Sequence, residues 1–147
     1  MEITAFTLAQ RFVGLREIPG KEDSPAVLAM LRLDAKWPEG DEVPWCSAFC
    51  NYIAWLLRLP RSKSLAARSW LACGMPVDLA DASVGFDVVV LSRPAGGASA
   101  GHVGFFAGRA DGTAAGRGVL LLGGNQSDSV GVQEFAASRV LGVRRLA

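Results

Sequence analysis

A chain of 147 residues, half of them hydrophobic, is long enough to bury a core without disulfide or metal staples and suits one domain. Its net charge of +1 argues against the basic stripe that nucleic-acid binding needs and against any long-range pull towards an anionic surface. Three cysteines is an odd number, so a disulfide framework is not expected and at least one thiol is free, as in a reducing compartment.

The opening "MEITAFTLAQRFVGLREIPG" has an acid at position 2, no basic start and no long apolar core, and does not read as a secretion signal. Ile3, Phe6, Phe12 and Val13 recur at helical spacing, which predicts a first helix up to Gly14. "REIPGKEDS" turns the chain, and Ser24-Pro25 reads as a helix start for a second helix, Ala26 to Leu33. "DAKWPEGDEVP" reads as an acidic loop. From Cys46 or Ser47 the positions Phe49, Ile53, Leu56 and Leu57 predict a third helix that Pro60 stops. A fourth is expected from about Leu65 to Ala72, ending near Gly74 and Pro76.

The pattern then changes. "FDVVVL", "HVGFFAG", "VLLLGG", "VGVQEF" and "RVLGVRRL" are short and rich in Val, Leu and Phe, with Gly-rich turns between them. Short connections favour antiparallel neighbours, so the expected class is α+β: N-terminal helices packed on a C-terminal antiparallel sheet. "RPAGGASAG" and "GRADGTAAGRG" read as mobile surface loops. The longest apolar runs, such as "VLLL", are far too short to span a bilayer, so no membrane insertion is expected.

Three residues carry candidate chemistry. Cys46 follows Pro44 and Trp45 and opens the third helix, where unpaired first-turn amides favour the reactive thiolate. A buried, inert thiol is the competing reading. His102, the sole histidine, opens a strand after a glycine loop and is a candidate general base, or else a capping side chain. Asn125, after an apolar strand and two glycines, is a candidate to orient the imidazole, or else part of an Asx turn. Gln126 is a candidate substrate-binding or oxyanion donor, or else points outwards, and Trp45 either floors a substrate groove or packs in the core. Trp55 and Trp70 lie within predicted helices and are assigned to the core.

At these positions the chain resembles the papain-like cell-wall hydrolases of the CHAP and NlpC/P60 kind, nearest a compact phage-associated subfamily. The motifs are "WCSAFC" at 45–50, "AARSWL" at 66–71, "GHVGFF" at 101–106 and "GGNQSDSV" at 123–130, with "GLREIPGKEDSPAVL" at 14–28 similar to an N-terminal Glu-x-x-Gly motif. The resemblance implies a papain-like fold with Cys46 as nucleophile, His102 as base and Asn125 orienting His102. It further implies hydrolysis of a peptidoglycan amide without cofactor, by a monomeric catalytic unit acting on the cell wall in the periplasm after release or delivery. One departure is "GFDVVV", where Phe86 separates Gly85 from Asp87; the family's Gly-Asp pair implies a local bulge or one-residue register shift here and leaves the role of Asp87 open.

Rival classes share some of these residues. A metal module would draw on Cys46, Cys50, Cys73 and His102, yet no CxxC or HxxxH spacing supports it. Calcium would draw on Asp34, Glu39, Asp41 and Glu42, which lack the alternate spacing of an EF-hand loop, so no metal is expected. The same fold also hosts acyl transfer and delivered toxin amidases.

Overall fold

Each helix starts where the sequence supplies a start signal. In the computed structural model, which describes residues 2–16, 24–33, 45–93, 100–110 and 118–147, α1 spans Ala5–Gln10 behind a reciprocal capping box. The Thr7 amide donates to Thr4 Oγ1 at 3.1 Å and the Thr4 amide to Thr7 Oγ1 at 2.9 Å. The helix is shorter than its periodicity predicts: turns carry the chain from Arg11 to Gly14, whose φ of +99° suits glycine. Helix α2 spans Pro25–Leu31, with Ser24 as its cap and Pro25 in its first turn as expected. Helix α3 spans Cys46–Leu56 and buries Phe49, Cys50, Ile53 and Ala54. The segments 17–23, 34–44, 94–99 and 111–117, which hold the expected Glu-x-x-Gly motif, the whole acidic loop with its four candidate calcium ligands and the middles of the two expected surface loops, lie outside the described residues.

The expected fourth helix is a 3-10 run, Ala67–Ala72. Asn51 accounts for its late start. The Lys63 amide donates to Asn51 Oδ1 at 2.9 Å, while Asn51 Nδ2 donates to the Ser64 carbonyl at 3.2 Å. Tied in this way, the chain turns at Lys63, bends at Ser64 and Leu65 and is extended at Ala66 before it coils. Trp70 is fully buried and its indole N–H donates to Ser47 Oγ at 2.9 Å. Trp55 departs from its core assignment: it is 47% exposed near the end of α3 and packs at a tilt on Tyr52.

Six strands follow among the described residues: β1 (Met75–Val77), β2 (Asp87–Ser92), β3 (Gly101–Ala110), β4 (Gly118–Gln126), β5 (Ser129–Ala136) and β6 (Val140–Arg145). They form one sheet in the order β1-β6-β2-β3-β4-β5, and every neighbouring pair is antiparallel. The mixed α+β class expected from the sequence is therefore present. Strand β1 was not expected; Pro76 is tolerated there because the strand is an edge. Chain reversal brings β6 between β1 and β2, so the C-terminal strand is interior.

Alternation assigns the two faces. Val88, Val90, Val103, Phe105 and Leu122 join the core shared with the helices. Val89, Leu91, Phe106, Val119, Leu121 and Val143 form a second cluster on the other face, covered by Val77, Leu79, Phe135 and Val140. Burial on both faces explains why β2 reads as an unbroken apolar run.

The register shift expected at Phe86 is not there. Asp87 pairs in register with Arg145, and the irregularity of β2 lies further on, between Val90 and Leu91. Asp87 accepts a bidentate bond from Arg145 (2.7 and 2.8 Å) and another from the Ser83 amide (2.8 Å). A buried carboxylate satisfied in this way fastens β2 to β6. Among the described residues no helix is long and apolar enough to cross a membrane.

Candidate active site

Cys46 is the first residue of α3, and its predecessor Trp45 supplies no side-chain cap. The first-turn amides are therefore open to another acceptor. Burial raises the thiol above its ordinary pKa, against the pull of the Val103 amide, the Arg93 charge and the amides of Ser47 and Cys46 itself. The resting sulfur is a protonated thiol set among donors that would favour the thiolate once it forms. Cys50, one turn on, is fully buried and pushed well up by burial, with Cys46 adding to the effect. It is a packing residue.

The start of α3 is held firmly. Ser47 Oγ donates to the Ser64 carbonyl and accepts from Trp70, and Asn51 Nδ2 donates to the Ser47 carbonyl at 3.1 Å. Trp45 is fully buried, and the ring lies so close to Gly124 that a Cβ there would stand 2.6 Å from it. This excludes Trp45 as an exposed groove floor; the ring packs in the core and sets the height of Cys46 over β4.

His102 is the second residue of β3 and pairs with Leu91. Its imidazole therefore rises on the face of the second cluster, with the Phe135 ring 5.1 Å away. Nε2 lies 2.9 Å from Gln126 Oε1. The Gln126 amide nitrogen donates to the carbonyls of Leu121 (3.1 Å) and Gly131 (2.7 Å). Both amide hydrogens are spent, so the atom facing His102 must be the oxygen. Nε2 then carries the proton and Nδ1 keeps its lone pair, a tautomer assigned from the hydrogen-bond network. Burial lowers the imidazole pKa to about 4; the Gln126 bond opposes this, and the charges of Arg93 and Arg139 reinforce it. His102 is thus neutral at rest near neutral pH. Nδ1 is buried and has no hydrogen-bond partner among the described residues.

The role expected of Asn125 falls to its neighbour. Asn125 makes no side-chain bond to His102; Gln126 does. Asn125 has a φ of +58° and lies where the β4–β5 register shifts, between Gly123 and Gln126. That irregularity breaks simple alternation. Gln126 is buried as a result, and a Cβ on Gly123 would stand 2.7 Å from Gln126 Oε1. The "GG" of the motif is therefore two separate requirements: Gly123 leaves room for the Gln126 amide, and Gly124 for Trp45. With no N–H left over, Gln126 also has no donor for a substrate. Ser127 and Asp128, both at positive φ, make the two-residue hairpin turn between β4 and β5.

Cys46 and His102 lie on opposite faces of β3 at the same end of the strand. The β3–β4 ladder stops at Phe105 and Leu122, so 101–104 pair with β2 alone. At this opening the Val103 amide, one residue from His102, turns to the Cys46 thiol. No hydrogen bond joins Cys46 and His102 in this state. A groove lined by Trp55, Leu56, Arg58, Leu59 and Arg61 lies at the far end of α3, away from both residues. Among the described residues no group of three or more His, Cys, Asp or Glu is placed to hold a metal ion.

Sequence reasoning missed the orienting role of Gln126 and the arginines near His102. The Asn-Gln pair itself carried a signal, but only the strand irregularity decides which amide faces inwards. No protein-family model matches the chain, and no curated protein matches it as a relative.

Proposed function

We propose that the chain is a cysteine amide hydrolase acting on peptidoglycan, of the lytic papain-like kind its motifs resemble. One observation supports this most: Gln126 fixes His102 in the tautomer that leaves Nδ1 as a base, one residue from the amide that meets the Cys46 thiol. In this reading the resting pair is neutral, and because thiol and imidazole start on opposite faces of β3, the strand end at the β3–β4 opening shifts as substrate enters so that the two meet. Nδ1 of His102 takes the thiol proton as sulfur attacks the amide carbonyl. The amides at the start of α3 stabilise the negative charge that develops. Collapse expels the amine, which receives the proton from His102. Water then enters, gives a proton to Nδ1 and cleaves the thioester. Gln126 holds the ring throughout and accepts from Nε2–H, favouring the imidazolium of each step.

The test is digestion of purified sacculi, read by turbidity and by mass spectrometry of the released fragments. Cys46→Ser keeps the shape but raises the nucleophile's pKa by several units. It is expected to slow digestion at least ~10²-fold in a folded protein. Wild-type digestion by Cys46→Ser, or activity lost in EDTA and restored by zinc, overturns the reading.

A further inference from the structure

Three arginines converge on the strand end that carries His102. Arg68 Nε donates to the Ala100 carbonyl at 2.8 Å, two residues before the histidine. Arg139 Nε donates to the Ser92 carbonyl at 2.9 Å, and Ser92 pairs with Gly101. Arg93 follows Ser92 directly. The guanidinium carbon of Arg139 lies 5.4 Å from the centre of the Phe135 ring that packs on His102. All three arginines are half-buried. Arg68 and Arg139 spend only Nε in hydrogen bonds, and Arg93 makes none among the described residues; none of the three forms an ion pair there.

Holding the Ala100 and Ser92 carbonyls uses Nε of Arg68 and Arg139 but not their terminal guanidinium nitrogens. Like charges on one strand end repel, and partial burial strengthens that repulsion. Elsewhere the single buried carboxylate of β2, Asp87, is fully paired with its own arginine. On a chain of net charge +1, three cations in one place with no ion pair among the described residues mark a site for an external anion. A planar guanidinium with free terminal N–H groups suits a carboxylate. The charges also reach the candidate site: those of Arg93 and Arg139 act on His102, and that of Arg93 on Cys46.

We propose that Arg68, Arg93 and Arg139 form an anion-recognition rim that selects acyl substrates bearing a free carboxylate beside the scissile amide. The inference rests on the hydrolase reading for the identity of the substrate. The rim itself is a property of the surface beside Cys46 and can be probed without turnover. It distinguishes acidic stem peptides from stems whose carboxylates are amidated.

Iodoacetate and iodoacetamide test it directly. Both alkylate a thiolate by forming a C–S bond and releasing iodide; they are similar in size and differ in charge. Their rate ratio at Cys46, read by peptide mapping, cancels any change in thiol ionisation. The ratio is expected to fall at least about fivefold in Arg93→Gln, further in Arg93→Gln/Arg139→Gln, and in wild type at high salt, the scale of a partly screened charge pair. A ratio unchanged in both variants overturns the proposal.

If Cys46 is too enclosed to react with either reagent, binding decides. Cys46→Ala protein is titrated with a soluble muropeptide carrying free carboxylates and with its amidated counterpart. Tighter binding of the acidic form, lost in Arg93→Gln, supports the rim. Equal affinity for the two, or binding of neither, overturns it. A charge preference that survives while no sacculus or muropeptide is cleaved leaves the rim standing and removes the hydrolase reading alone.

Discussion

Replacing Gln126 by leucine removes the His102 partner while keeping much of the side-chain volume. Three hydrogen bonds go: the one to His102 at 2.9 Å and those to the Leu121 and Gly131 carbonyls at 3.1 and 2.7 Å. At about 1 kcal/mol for each bond, partly offset by the apolar leucine, the loss of stability is about 2–3 kcal/mol. For a domain of this size that lowers Tm by roughly 4–12 °C. The effect on rate is of another kind. A freed imidazole can rotate or change tautomer, and loss of the orienting group in a triad costs up to ~10⁴ in rate; a neutral amide contributes aim without charge, so ~10²–10³ is expected here. Asn125→Gly is the matched control. Its φ of +58° is one that glycine adopts freely, so stability should stay within about 1 kcal/mol. Digestion of sacculi below Tm, with folding checked by circular dichroism, separates the two variants. Folded Gln126→Leu protein with near-wild-type activity, beside an inactive Asn125→Gly, refutes the assignment of Gln126.

The sole histidine makes acid sensitivity easy to assign. The folded pKa of His102, about 4, lies below its unfolded value of ~6.5. In that window the unfolded chain binds the proton and the folded one does not, so stability falls as pH drops from about 6.5 to about 4, by up to about 3 kcal/mol from this group. The imidazole NMR signal should stay in its neutral position down to about pH 5, and an apparent pKa near 6.5 would contradict the burial argument. Gly124→Ala drives a methyl into the Trp45 ring and the Phe49 Cβ; it should destabilise by about 1–3 kcal/mol and reduce activity by tilting the start of α3. Wild-type melting would show that the ring is free to move. Cys50→Ala should keep most activity and lose about 1–2 kcal/mol of stability, and an inactive, fully folded variant would assign Cys50 a role at the site.

Much of the architecture was legible in local chemistry. Ser24-Pro25 announced α2, the spacing after Cys46 announced α3, and five of the six strands read directly from runs of Val, Leu and Phe. These signals depend on neighbours within a few residues, so they survive without the fold. The misreadings share one cause. The 3-10 run at Ala67–Ala72 depends on Asn51 tethering a distant loop, and β1 exists only because β6 returns to pair with it. Trp55 is exposed where it was assigned to the core, because helix periodicity fixes a face without saying what covers it.

Local patterning alone places a thiol at the start of a helix, the one histidine at the start of a strand and an amide pair at the end of another. Which amide holds the imidazole was decided only by tertiary structure. An irregularity between Gly123 and Gln126 breaks the alternation from which a reader of sequence would assign faces. The protonation states were likewise outside its reach. Burial, which depends on every element packed around them, pushes both Cys46 and His102 further towards the neutral form than either would be as an isolated residue. The arginine rim follows the same logic: Arg68, Arg93 and Arg139 are scattered along the chain, and the β2–β3 pairing, with one hydrogen bond from each flanking arginine, collects them at one edge.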